Sequence, residues 1–228
     1  YLPRALEILA DMVQNSVFNE ATLKKEKNVV INEIEMTDDD PKSYQWIVLL
    51  KTLFRKHKAK NPVYGSVNAI KKVSRKEVLE YYKKHYIPSN MTISIIGDMK
   101  DPLPQVKRLF EAIPAGYIAK EQMPEEPLIT KPRKTKVKRQ VDHYYVAIGY
   151  HAAKRGQKDS YALEVIRSIL GRGQSSRLFN EIRTKRGIAY MVGAMYEYQL
   201  SFGVFAVYVG TTKEHVAEAR KILLDSCQ

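Results

Sequence analysis

Two glutamates seven residues apart are the first side chains in this sequence that point to chemistry. They lie in Leu23-Lys-Lys-Glu26-Lys-Asn-Val-Val-Ile-Asn-Glu33-Ile-Glu-Met36. At roughly 100° per residue Leu23, Val30 and Ile34 share one helical stripe, and Glu26 and Glu33 sit about 20° apart beside it. The spacing predicts both acids on the inward side, about two turns apart. An unpaired buried carboxylate is costly to desolvate, so an inward pair faces a cation, a strong donor network or a solvent-filled cleft. Periodicity alone leaves open whether this is a buried ion-pair helix or a metal or catalytic site.

A second group is Arg183-Thr-Lys-Arg-Gly-Ile-Ala-Tyr190. Singly its members are ordinary: Arg183 ends a predicted helix, where cations are favoured, and Tyr190 opens a predicted strand, where aromatics are common. The histidines His57, His85, His143, His151 and His215 form no His-x-x-x-His or His-x-x-Glu-His pair, so no two imidazoles are placed locally to share a metal. No phosphate-binding glycine loop or serine nucleophile motif is present. Gly171-Arg-Gly-Gln-Ser-Ser176 is a turn whose N–H groups are able to meet an anion or a peptide carbonyl, although as a phosphate loop it is a weak match. Cys227 stands alone, which excludes an internal disulfide.

The elements that must position these residues follow from local signals. Leu6, Leu9, Ala10 and Val13 mark a first helix, and Asn19 caps the glutamate helix, which Asp38-Asp-Asp-Pro41 ends. Pro41 opens a third helix to about Phe54. Ser74 and Glu77 form a capping box for a helix to about Tyr86. Met91 to Ile96 reads as a buried strand, and Pro102 to Ala112 as a helix. Beyond a proline-containing basic stretch come a strand at Val141 to Tyr150 and a helix at Ser160 to Leu170, with Gly171 as its left-handed cap. A helix from Ser175 or Ser176 to about Lys185, a hairpin around Leu200-Ser201 and a last helix with Val216, Ala219, Ile222 and Leu223 on one face complete the chain. This layout predicts an α+β fold: two related domains with helices packed on a largely antiparallel sheet. The expected division is 1–113, a linker at 114–139 and 140–228.

At 228 residues, 44% apolar and 28% charged, the chain is long enough for a substantial core and is not disordered. No apolar run is long enough to span a bilayer. The net charge of +13 suits an anionic partner, but the basic residues are spread over predicted helix faces. The one dense run, Lys131-Pro-Arg-Lys-Thr-Lys-Val-Lys-Arg139, falls in the linker. Neither nucleic acid nor membrane is therefore the expected partner. With no initiator methionine and no signal peptide, and opening almost directly on a helix, the sequence reads as a piece of something longer.

Phe18-Asn-Glu-Ala-Thr-Leu-Lys-Lys-Glu26 through Glu33-Ile, followed by Asp-Asp-Pro41, resembles the zinc-helix region of the insulinase/pitrilysin metallopeptidases, the inverted zincins that include the mitochondrial processing peptidases. Later stretches agree in order: Tyr82-Lys-Lys-His-Tyr-Ile-Pro88-Ser-Asn90-Met, Gly97-Asp98, Leu170-Gly-Arg-Gly-Gln-Ser-Ser-Arg177-Leu-Phe179 and Arg183 to Tyr190. The resemblance implies a zinc-dependent endopeptidase that cuts peptides or unfolded segments in an enclosed chamber. It implies Glu33 as the distal zinc ligand, Glu26 as an acid supporting the site from behind, and Arg183 with Tyr190 as contacts to substrate backbone. The Gly171 to Ser176 turn falls where processing peptidases carry a glycine-rich substrate loop. The family's His-x-x-Glu-His helix, with two zinc ligands and the catalytic base, would precede Tyr1. The expectation is thus a catalytically incomplete fragment: the back of a zinc-bearing first domain, whose N-terminal part is missing, a linker, and the front of a substrate-contacting second domain. Zinc is expected in the full-length protein and not in this fragment. A homodimer or a related partner subunit is implied, and a non-catalytic scaffold or partner subunit is the alternative.

Overall fold

Helices α1 (Leu2–Gln14), α2 (Glu20–Asp39) and α3 (Pro41–Leu53) form where the apolar stripe, the Asn19 cap and Pro41 predict them. Asn19 Oδ1 accepts from the Ala21 N–H at 2.9 Å, and Asp40 caps α3 by accepting from the Ser43 N–H at 2.9 Å. The structure, a computed structural model, describes residues 1–97, 100–117 and 123–227. Asp98 of the Gly97-Asp98 pair, and residues 118–122 of the predicted linker, lie outside the described residues. Two compact units emerge, Tyr1–Glu33 with Ser66–Gln122 and Ile34–Gly65 with Met123–Gln228. The boundary falls inside α2.

The first unit adds α4 (Val67–Lys72), which the sequence reading passed over although Ser66 caps it, α5 (Arg75–His85) and α6 (Leu103–Phe110). The Ser74 capping box is present: the Ser74 N–H donates to Glu77 Oε2 at 2.6 Å, and the Glu77 N–H donates to Ser74 Oγ at 3.2 Å. Phe18 holds a left-handed φ of 46°, uncommon for a bulky residue. Arg75 fixes it by donating to Phe18 O at 2.7 Å and Val17 O at 3.0 Å. The predicted strand at Met91 to Ile96 does not form. A strand needs a neighbour to take its backbone bonds, and among the described residues of this unit there is none. Ile96 is 94% exposed instead.

In the second unit β1 (Tyr144–His151), β2 (Ala189–Tyr198) and β3 (Gly203–Thr211) form an antiparallel sheet in the order β1-β3-β2. The Leu200-Ser201 hairpin joins β2 to β3 as predicted. Central β3 is covered on both faces by its period of two. Val204 and Ala206 meet Leu49, Leu53 and Phe54 from the end of α3. Phe205, Val207 and Val209 meet the core that α7 (Asp159–Gly171) and α8 (Val216–Asp225) build with Leu170, Ala219 and Leu223. Glycines allow two close approaches. A Cβ on Gly149 would stand 2.9 Å from Leu49 Cδ1, and one on Gly171 would stand 1.9 Å from Ala194 N. Gly171 therefore serves helix-to-strand packing; it is not the left-handed cap predicted, and the positive φ of 81° belongs to Gly173.

Part of the basic stretch predicted as a linker is docked on α3. Glu126 accepts from the backbone N–H groups of Arg55 at 2.7 Å, Lys56 at 2.7 Å and His57 at 2.9 Å. Arg133 donates to Leu53 O at 2.7 Å, capping the helix, and pairs with Glu126 at 3.8 Å. Burial works to raise the pKa of Glu126, but the three N–H bonds and Arg133 outweigh it and hold the carboxyl below its ordinary 4.5. His57, 4% exposed, packs between Phe54 and Phe202, and its Nδ1 accepts from the Ala59 N–H. Burial, then Lys154, holds it below its ordinary 6.5 against the pull of Glu126.

Both shifts make the unfolded chain bind protons more readily than the folded one, so stability is greatest above both ordinary values and is lost as pH falls. Urea melts should show a decline beginning below pH 6.5 as His57 is charged, and a second below 4.5 as Glu126 is protonated. His57→Asn should remove the first decline. Glu126→Gln should lower stability at neutral pH by about 2 kcal/mol, the scale of bonds to a charged acceptor, and should remove the second.

Candidate functional site

Both predicted carboxylates lie on α2, and both are exposed. The inward placement is corrected: Ile34 is buried and Leu23 and Val30 are half-buried, while Glu26 and Glu33 stand on the solvent side of that stripe. Val29, 48% exposed, and Met36, 72% exposed, continue the same open face. Periodicity fixes the angle of a side chain around its helix axis and says nothing about what covers it. Here the covered stripe ends just short of the acids.

Zinc requires at least three protein ligands. Among the described residues no three His, Cys, Asp or Glu side chains converge closely enough to hold a metal ion. Glu33 offers one carboxylate and Glu26 a neighbour on the same face, which does not amount to a metal site. These residues alone do not fit the ion.

Arg183 and Tyr190 are brought together. Arg183 lies in a π-helical turn, Phe179–Thr184, where an α-helix was predicted, and Tyr190 lies at the start of β2. Arg183 Nη1 donates to the backbone carbonyl of Tyr190 at 2.8 Å, and its guanidinium carbon stands 5.1 Å from the Phe179 ring centroid. Tyr190 is the extra residue of a bulge: Ala189 pairs with Thr211 and Met191 with Gly210, so Tyr190 is left without an opposite number and re-aimed. Its ring meets His143 edge-on at 4.8 Å. Both residues are exposed, and the Arg183 guanidinium reaches the Tyr190 backbone, not its phenol.

Sequence reasoning missed the groups that hold this pair. Tyr145, on β1, pairs with Gly210 of β3, and Gly210 pairs on its other side with Met191, next to Tyr190. The Tyr145 phenol hydrogen-bonds to Tyr190; that bond first, then burial, pushes the Tyr145 pKa up to about 12. Glu181 accepts from Lys185 and, at 2.7 Å, from Arg186, and the two cations hold its carboxyl below its ordinary 4.5. The alternation of β1 marked Tyr145 as lying on one face, but the three-strand order that sets it across Gly210 from β2 was not legible. The Gly171 to Ser176 turn is closed on itself: the Ser176 N–H and hydroxyl both donate to Gly173 O, at 3.3 and 2.8 Å.

Comparison with known proteins bears on both groups. Residues 72–227 match a family model described as the peptidase M16 inactive domain, and residues 1–67 match the model for insulinase, peptidase family M16. An uncharacterized zinc protease of Streptomyces coelicolor is 30% identical over 98% of this chain and 50% of its own length. A protease of Helicobacter pylori superposes with a TM-score of 0.86 at 22% identity, over 98% of this chain and 56% of that one. An M16 inactive domain from Pseudomonas fluorescens gives 0.83 at 24% identity, over 97% and 54%. At these identities the structural likeness shows the fold. The chain spans about half the length of the curated relatives it matches.

Spectrophotometric titration tests the tyrosine pair. Tyr145→Phe should remove one phenol ionisation near pH 12 from the wild-type curve, and an unchanged high-pH limb would show that Tyr145 titrates as an ordinary tyrosine.

Proposed function

The chain belongs to peptidase family M16, and from that premise we propose that it is part of a zinc endopeptidase acting on peptides or unfolded segments. The observation that carries this reading is the Arg183–Tyr190 pair, in which a guanidinium and a phenol are exposed together beside the start of a strand. Peptide carbonyls are acceptors in any sequence, so paired donors recognise backbone without selecting side chains. The chemistry this chain supplies is binding and orientation.

In the whole protein Glu33 would be one ligand of a zinc ion and Glu26 would support it, and the bound ion would supply Lewis-acid chemistry toward a peptide carbonyl and water. The remaining ligands and the base have no counterpart among the described residues, so no chemical step is built on this chain. Within this reading, 1–113 belongs to the zinc-bearing domain, 114–139 is the connector and 140–228 belongs to the domain that contacts substrate, working as a homodimer or beside a related subunit. A non-catalytic scaffold or partner subunit is the second reading, favoured by the description of the matching family model as an inactive domain.

The test uses the full-length protein. Glu33→Gln should strip bound zinc and lower cleavage of an unfolded peptide at least about 100-fold, while Arg183→Gln should leave zinc in place and raise KM about tenfold. Zinc content and cleavage unaltered in Glu33→Gln would sink the catalytic assignment. A wild-type protein that binds the peptide and never cuts it would establish the scaffold reading.

A further inference from the structure

The π-turn that carries Arg183 has a specific chemical support. In an α-helix the Lys185 N–H would reach back four residues to Glu181 O; here it donates five residues back, to Asn180 O at 2.9 Å. The Glu181 carbonyl that this shift releases accepts instead from Arg186 Nη1 at 2.7 Å. The same Nη1 lies 2.7 Å from Glu181 Oε2, and Arg186 Nε lies 3.5 Å from Glu218 Oε1 at the start of α8. A side chain thus stands in for a missing backbone donor, and carboxylates on two elements steady it. One extra residue in a turn rotates whatever follows by roughly 100° relative to a continuous α-helix. Arg183 lies inside this turn, where its guanidinium stands over Phe179 and bonds Tyr190 O.

We propose that Arg186 is a positioning residue: by bonding the Glu181 carbonyl it holds the π-turn open and so sets the pose in which Arg183 meets a peptide. The peptide contact rests on the function proposed above; the effect of Arg186 on the turn does not. Arg186 itself is engaged by Glu181 and Glu218, and in this proposal it acts only through Arg183.

Two readouts on the full-length protein keep these claims apart. A crystal structure of Arg186→Gln should show the Lys185 N–H returned to Glu181 O and the Arg183–Tyr190 O bond lost. Affinity for a fluorescein-labelled unstructured casein peptide should fall about tenfold, the scale of one charge-assisted bond. Arg186→Lys, which keeps a cationic donor near Glu181 O, should recover most of that affinity. Glu218→Gln leaves the turn intact and removes one support of Arg186, and it should weaken binding about threefold; it decides the matter should Arg186→Gln fail to fold. A π-turn and an Arg183–Tyr190 bond that persist in Arg186→Gln would overturn the proposal, as would wild-type affinity in Glu218→Gln where Arg186→Gln does not fold. If Arg183→Gln binds the peptide as well as wild type, the substrate reading fails, and the structure of Arg186→Gln still decides whether Arg186 positions Arg183.

Discussion

Strand β3 has to be buried on both faces, and much of the second unit follows from that requirement. Its sequence, Gly-Val-Phe-Ala-Val-Tyr-Val-Gly-Thr from Gly203 to Thr211, is apolar at successive positions. No single layer of helix satisfies it. α3 covers Val204 and Ala206, while α7 and α8 cover Phe205, Val207 and Val209. With both faces taken, only the strand edges remain, and β1 and β2 occupy them. The flanking strands then carry Tyr145 opposite Gly210 on one side and Met191, next to Tyr190, opposite it on the other. The exposed pair at Arg183 and Tyr190 is therefore the rim of a core whose centre is fixed by hydrophobic burial.

What was legible in the sequence was local. Caps at Asn19 and Ser74, the Leu200-Ser201 hairpin and the face of the last helix all depend on contacts within a few residues, and all are present. The misses depend on partners far away along the chain. Met91 to Ile96 has the composition of a strand and no neighbour to pair with among the described residues. Glu126 reads as one more charge in a polar stretch, and its three amide partners lie about seventy residues earlier. The π-turn has no signature in hydrophobic periodicity, because it is a single extra residue held by a side chain.

The site was legible unevenly for the same reason. The seven-residue spacing of Arg183 and Tyr190 spans a turn and a bulge, neither of them visible in a periodic pattern, and the resemblance to a known family drew attention to the pair. Glu26 and Glu33 do share a face, as the helical period requires. Their exposure shows that sharing a face with an apolar stripe is a weaker condition than being covered with it: Val29 and Met36, both apolar, are open on the same side. Membership of the M16 family gives these acids a reading that geometry within this chain does not.

Glu126 and Arg133 also constrain the order in which the chain becomes ordered. α3 is finished by residue 53, yet the strap that caps its end comes only with residues 126–133, and the strand that covers Leu49, Leu53 and Phe54 only with Val204 and Ala206. During synthesis those three apolar side chains meet His57, Ile129 and β1 first, and they lack their β3 cover until about 150 more residues have been added, on the order of ten seconds at ordinary elongation rates. Contacts of such long sequence separation make for slow folding. The window in which this molecule is open to misassembly is thus set by the distance between α3 and β3 along the chain.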